Sequence, residues 1–177
     1  MMNYKIDNLH SEIGFKVRHL GISSVKGTFE RFDSQINGDL NDGADIYVTI
    51  QTSSINTRED KRDGHLMGED FFNSMEYPEM TFSAQNYKMG DEVMNGTLTI
   101  KGVSKEIQMD VEYMGSQKDP YGNTVHGFEL NGVVYRDDYG LTWNVALDGG
   151  NLLLSNEVKL NLDIQVQEVM VEETVEV

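Results

Sequence analysis

Apolar and polar residues alternate with a period of two along most of this chain. Ile13, Phe15, Val17 and His19 interleave with Gly14, Lys16 and Arg18, and Ile46, Val48 and Ile50 interleave with Tyr47 and Thr49. Leu98 and Ile100 alternate with Thr97 and Thr99. Ile107, Met109, Val111 and Tyr113 alternate with Gln108, Asp110 and Glu112, and Val158 to Val166 alternate with Lys159, Asn161, Asp163 and Gln165. Successive side chains of a strand point to opposite faces, so each run turns one side to a core and one to water, the habit of antiparallel sheet. Turn chemistry separates the runs at Asn37-Gly38, Asp42-Gly43, Met89-Gly90-Asp91, Lys101-Gly102, Pro120 to Asn123 and Asp148 to Asn151. The pattern predicts eight strands or slightly more, at about residues 12–20, 25–37, 44–52, 79–88, 92–100, 105–115, 126–136 and 154–167. That is an all-β chain, either a sandwich or an up-and-down barrel.

Residues 53–78, SSINTREDKRDGHLMGEDFFNSMEYP, break the alternation. Thr57 followed three residues later by Asp60 resembles a capping box. The spacing predicts a short helix from about Arg58 to Gly64, then a loop with a turn near Asp70 to Ser74. A long excursion between strands closes a barrel end or carries function. Arg58, Lys61, Arg62 and His65 fall three and four apart, which is one helical face. They form either a seat for an anionic group or a solvated face paired with Glu59, Asp60 and Asp63. An apolar cluster follows, from Leu66 and Met67 through Phe71, Phe72, Met75, Tyr77 and Met80 to Phe82. An eight-stranded barrel is either filled by side chains or holds one small ligand. Phe15, Val17, Phe29, Ile50, Phe82, Leu98, Ile100, Leu141 and Trp143 are the residues expected to face its interior. The last ten residues, 168–177, carry four glutamates and no basic residue. They are expected to fray as an acidic tail beyond a domain of residues 1–167.

Composition narrows the function. Thirty acidic residues against fourteen basic ones give a net charge of -16, which argues against binding nucleic acid. With no cysteine there is no disulfide, thiolate metal site or cysteine nucleophile. The four histidines, His10, His19, His65 and His126, show no metal-ligand spacing, and no GxSxG elbow or phosphate-binding loop occurs. Ser11 or Ser53 near a histidine is where a small hydrolase would have to be sought. Met1 to Ile6 shows no basic segment leading into an apolar run, and no stretch of eighteen apolar residues could span a bilayer. A cytoplasmic protein without stable membrane insertion is expected.

Four blocks in order carry a family resemblance. YKIDNLHSEIGFKVRHLGISSVKGTF holds His10-Ser11, Phe15, Val17, Arg18-His19, Gly27 and Phe29. SSINTREDKRDGHLMGEDFFNSMEYPEMTF holds Ile55-Asn56-Thr57, Arg62-Asp63, His65-Leu66, Asp70-Phe71-Phe72 and Tyr77-Pro78. LTIKGVSKEI and YRDDYGLTWN follow. From about Tyr4 to Val166 the chain resembles the YceI-like family, whose members are associated with binding polyisoprenoids and related lipids. The resemblance implies an antiparallel eight-stranded lipocalin-like barrel with one short helical excursion. A long isoprenoid tail would lie in its apolar tunnel with the polar head near the mouth. It also implies self-association as a homodimer. The expected function is non-catalytic binding, sequestration or transport of a long-chain hydrophobic ligand, with no cofactor or metal beyond a bound isoprenoid or lipid. The expected wall is Phe15, Val17, Phe29, Phe71, Phe72, Phe82, Leu98, Ile100 and Trp143. The expected head-group contacts are His19, Arg58, Arg62 and His65. The alternative is a stress-response or protein-interaction module whose barrel is filled and dry.

Overall fold

The alternating runs close into a ring. The structure is a computed structural model describing residues 2–170. Its strands are β1 (Met2–Ile6), β2 (Glu12–His19), β3 (Ser23–Phe29), β4 (Phe32–Asn37), β5 (Ala44–Gln51) and β6 (Ile55–Asn56). After the helix α1 (Asp60–Met67) come β7 (Glu79–Tyr87), β8 (Val93–Ile100), β9 (Val103–Lys118), β10 (Thr124–Tyr135) and β11 (Leu154–Met170). Neighbours run β1-β4-β5-β7-β8-β9-β10-β11, and β1 also pairs with β11, which closes the barrel. Closure satisfies the backbone groups that an open edge would leave bare.

The barrel has eight antiparallel staves, two of them made in pieces. β11 pairs with β1 through Ile6↔Val166 to Met2↔Met170, and with β2 through Leu154↔His19 to Asp163↔Glu12. One long strand is thus flanked at one end by β1 and at the other by β2, with the turn Asn8–His10 between them. Asp7 caps that turn by accepting from the Leu9 and His10 amides. β3 and β4 share another stave, broken at Glu30 and Arg31. There the Glu30 amide donates to the Ser54 carbonyl at 3.1 Å and the Gln51 amide donates to the Arg31 carbonyl at 2.9 Å. The single strand expected over 25–37 is therefore two strands with a bend, held by the chain that leaves β5.

Three further expectations are corrected. The helix lies later than expected: Glu59 is the cap, its carboxylate accepting from the Arg62 amide. Thr57 is buried instead and donates its hydroxyl to Asp63. Arg58 is not on a helical face, because it precedes α1 in a left-handed conformation with φ 64°. The tail does not begin to fray at Glu168, since Glu168, Val169 and Met170 pair with Tyr4, Asn3 and Met2; residues 171–177 lie outside the described residues.

Inward residues of every stave form the core, including Phe29, Ile50, Leu98, Met109, Leu130 and Val166. Several inward neighbours, among them Phe15, Phe82, Val158, Leu160 and Leu162, stay only partly buried. Inward-facing yet accessible apolar side chains mean that this end of the barrel is hollow.

Candidate functional site

The hollow is a cavity of about 540 Å³. That falls in the range of about 300–1,000 Å³ typical of small-molecule sites. It occupies the end of the barrel where the β2–β3 turn, α1 and the loop between Tyr139 and Leu154 come together. Its wall is mostly apolar: Phe15, Val17, Phe29, Phe71, Phe72, Phe82, Leu98, Ile100 and Trp143 all line it, as do Ile50 and Leu141. His19, Arg62 and His65 line it too, near the mouth, whereas Arg58 does not and is solvent-exposed. A second apolar cavity of about 110 Å³ lies deeper, and Ile13, Ile50, Phe82, Leu130 and Leu162 line both.

Two glycines make room for the aromatic wall. A Cβ on Gly27 would stand 2.4 Å from Cζ of Phe15, and one on Gly96 would stand 2.4 Å from Cζ of Phe82. The tip of each ring therefore occupies the space above bare backbone on the neighbouring strand, where any larger residue would collide with it. The excursion supplies the other rings. Phe72 meets Phe29 edge-on at 5.6 Å, and Phe29 packs against Phe15 at 5.6 Å. At the mouth, His65 lies edge-on to Trp143 at 4.7 Å and to Phe71 at 5.0 Å, and Phe71 packs against Trp143 at 5.3 Å. His65 Nε2 also bonds Asp70 Oδ2 at 2.8 Å. This cluster joins α1, the loop after it and the Leu141–Leu153 loop into one rim. Arg62 folds back on its own segment, donating from Nε to the Thr57 hydroxyl at 2.8 Å and from Nη2 to the Thr57 carbonyl at 2.6 Å.

Two polar residues of the wall, Arg136 and Tyr139, escaped the sequence reading. They sit in the turn Arg136–Tyr139 that follows β10. Arg136 is buried and donates only to carbonyls: from Nε to Ser155, and from Nη1 to Leu141 and Trp143. Desolvation lowers its pKa, opposed by the nearby charge of Asp137. The Tyr139 hydroxyl is buried with no hydrogen-bond partner, and burial pushes its pKa up to about 12. The RDDYG signal lay within a block quoted for the resemblance, but the irregular turn offered no period from which to read direction.

The opposite end is closed by a polar plug. The Tyr113 hydroxyl bonds His126 Nδ1 at 2.8 Å, and His126 Nε2 bonds Glu168 Oε1 at 2.8 Å. Tyr4 donates to Asp39 at 2.9 Å and its ring lies 6.5 Å from that of His126. His126 is thus committed to the plug, well away from the cavity mouth. Ser11 donates to the Gln165 carbonyl and Ser53 accepts from Arg31, so neither serine bonds a histidine. Among the described residues no group of three metal-binding side chains gathers, and no helix is long and apolar enough to cross a membrane.

The model of the YceI-like domain matches residues 4–166. The chain belongs to the YceI-like family. Among its relatives, a UPF0312 protein of Staphylococcus aureus (strain bovine RF122) is 40% identical over 162 residues, covering 90% of this chain and 94% of that protein. One from Staphylococcus epidermidis is 41% identical over the same length, with the same coverage. The crystal structure of the Campylobacter jejuni YCEI protein matches this YceI-like chain with a TM-score of 0.72 and 38% identity, covering 96% of this chain and 100% of that one. A polyisoprenoid binding domain from Saccharophagus degradans shares the fold, with a TM-score of 0.69 at 15% identity, covering 96% of this chain and 100% of that one.

Proposed function

We propose that this YceI-like protein binds a long-chain hydrophobic molecule inside the barrel, a polyisoprenoid or another lipid, and sequesters or carries it without catalysis. The observation that supports this most is the apolar cavity of about 540 Å³. A filled, dry barrel does not account for a cavity of that size. The polyisoprenoid binding domain from Saccharophagus degradans, which has the same fold, adds to the support. Each methylene moved from water to such a wall contributes about 0.8 kcal/mol. Several isoprene units thus outweigh the ordering of a flexible tail. On this reading His19, Arg62 and His65, which line the cavity, would meet the polar head, and Arg58, which does not line it, drops out of that role.

The test is direct. Purified protein is extracted with organic solvent, the extract is weighed by mass spectrometry, and the stripped protein is offered isoprenoid alcohols and fatty acyl lipids. The expected result is a lipid of long apolar tail in near-stoichiometric amount, or saturable uptake after stripping. Repeated preparations that release nothing and take up nothing would end the proposal.

A further inference from the structure

The cavity mouth is bordered by a surface that ligand enclosure does not explain. The β2–β3 turn meets the loop before β11: the Leu20 amide donates to the Leu153 carbonyl at 2.9 Å, and the Leu153 amide donates to the Val145 carbonyl at 2.9 Å. Together these segments hold apolar side chains out to water. Ile22 is 81% exposed, Leu152 58%, Val145 44% and Leu20 43%. His19, Leu153 and Leu154, immediately beside them in the chain, line the cavity.

Behind this tip, three neighbouring strands carry a row of lysines. Lys16 stands in register with Lys26 on β3 and with Lys159 on β11. Their chain neighbours Phe15, Val17, Val25, Val158 and Leu160 line the cavity, so the lysines face outward. Arg18, exposed and two residues nearer the turn, shares that face. Near the tip, Glu157 on β11 and Asp148 in the loop are acidic; on the lysines' own face the next carboxylates are Glu12 on β2 and Asp163 on β11, paired with each other four residues further from the turn. Among the described residues no carboxylate reaches salt-bridge distance of the three lysines. Like charges on facing positions destabilise a sheet, and in a chain of net charge -16 the row is an exception. Protection of a bare sheet edge accounts for Lys26, because β6 covers β3 only at Thr28 and Phe29. It does not account for Lys16 or Lys159, whose strands are flanked on both sides.

We propose that this apolar tip and lysine row dock the barrel mouth-first on an anionic phospholipid bilayer, so that a ligand moves between membrane and cavity without crossing water. The proposal rests on the ligand-binding reading and adds where the ligand is exchanged. Lys16 lies four residues from Leu20, about 13 Å along a strand at roughly 3.3 Å per residue. Amphipathic segments sink about 5–10 Å into the boundary between headgroups and acyl chains. Lysine stems reach further along an apolar surface, so the row meets phosphates when the tip meets acyl chains. Carboxylates also stand at the mouth on the α1 side, at Glu59, Asp60, Asp63, Glu69 and Asp70, so docking turns the β2–β3 side of the rim to the bilayer, and the acidic far end lies out of range. Glu168 is fourteen residues beyond Leu154 on β11, about 45 Å away along an extended strand, while charge is screened within about 8 Å at physiological salt.

The full chain, stripped of lipid, is cosedimented with vesicles of phosphatidylcholine alone and of phosphatidylcholine with phosphatidylglycerol. Binding is expected only to the anionic vesicles and weakens as salt rises. K16Q/K26Q/K159Q lowers the partition coefficient by about fivefold for each lysine removed, and L20S/I22S lowers it as well; circular dichroism verifies the fold of both variants. Absence of binding, equal binding to both vesicle types, or variants that bind like the parent overturn the proposal. Binding that needs the lysines but ignores L20S/I22S also overturns it, in favour of an acidic macromolecular partner. Uptake of a fluorescent lipid added from solvent without vesicles reads the cavity alone. Protein that loads but ignores vesicles refutes docking and keeps ligand binding. Protein that binds vesicles but never loads does the reverse.

Discussion

Arg136 is a buried cation whose hydrogen bonds go to the backbone. Its guanidinium donates at 3.0 Å to the Ser155 carbonyl, 2.9 Å to that of Leu141 and 3.2 Å to that of Trp143. One side chain thereby ties the turn after β10 to the rim loop and to the start of β11. Arg136→Ala strands the buried Leu141 carbonyl and takes the donor from the half-buried carbonyls of Trp143 and Ser155. It should cost about 3 kcal/mol of stability, seen as a lower midpoint in urea denaturation. Tyr139→Phe is the contrast, since the hydroxyl it removes is buried and unpartnered. That variant should unfold at the same urea concentration as the parent or a higher one. Equal midpoints for the parent and Arg136→Ala would show that the clamp carries no weight. The alternation exposed Phe15, Val17, Leu98 and Ile100 in the sequence because period two dictates which face a strand residue takes. It was silent on Arg136 and Tyr139, which lie in a 3-10 turn. Arg58 was misassigned because a left-handed residue ahead of the helix breaks the three-and-four spacing that placed it.

Among the elements, the excursion was the best signposted and the ends of β11 the least. The aromatic run at Phe71 and Phe72 pointed to a function, and the structure turns both rings into the cavity wall. The last strand looked complete at Gln167 because the glutamate-rich residues after it suggested a solvated tail. It continues because β1 offers it a partner, and β1 went unseen because Tyr4 and Ile6 are too short an alternation to register. A chain ending after Gln167 loses the pairs Met2↔Met170, Asn3↔Val169 and Tyr4↔Glu168, together with the carboxylate that bonds His126. Hydrogen exchange of that truncated chain should show the amides of β1 exposed sooner, with those of β9 and β10 near their shared centre unchanged. Uniform acceleration through every strand would mean that closure by β1 holds up the whole barrel.

For the whole molecule, the period-two pattern indicated about eight antiparallel strands and left sandwich and barrel open; the family resemblance implied the barrel, and neither told which segments share a stave. Joining β1 and β2 beside β11 is a long-range pairing that neither fragment declares alone. Closure also buries phenols throughout the barrel. Burial raises the pKa of Tyr4, Tyr87 and Tyr139 from 10.0 to about 12 in each case. Below about pH 10 these phenols are protonated in both states, and their contribution to stability is fully present. Between about 10 and 12 the unfolded chain releases protons that the folded one retains, so stability falls as pH rises through that window. Circular dichroism should show an alkaline unfolding transition there, with part of the phenolate absorbance appearing together with it. Sheet signal that survives ionisation of all eight tyrosines would contradict this.

The hollow end has a consequence for the lifetime of the protein. Apolar side chains around an empty space lack the dispersion contacts that a solid interior supplies. An occupant restores them, and a ligand present at about a hundred times its dissociation constant stabilises the folded state by about 2.7 kcal/mol. On the proposed reading, vacant molecules open more often and fall to proteases first. The cellular amount of the protein then tracks the supply of what it carries, with no dedicated regulator.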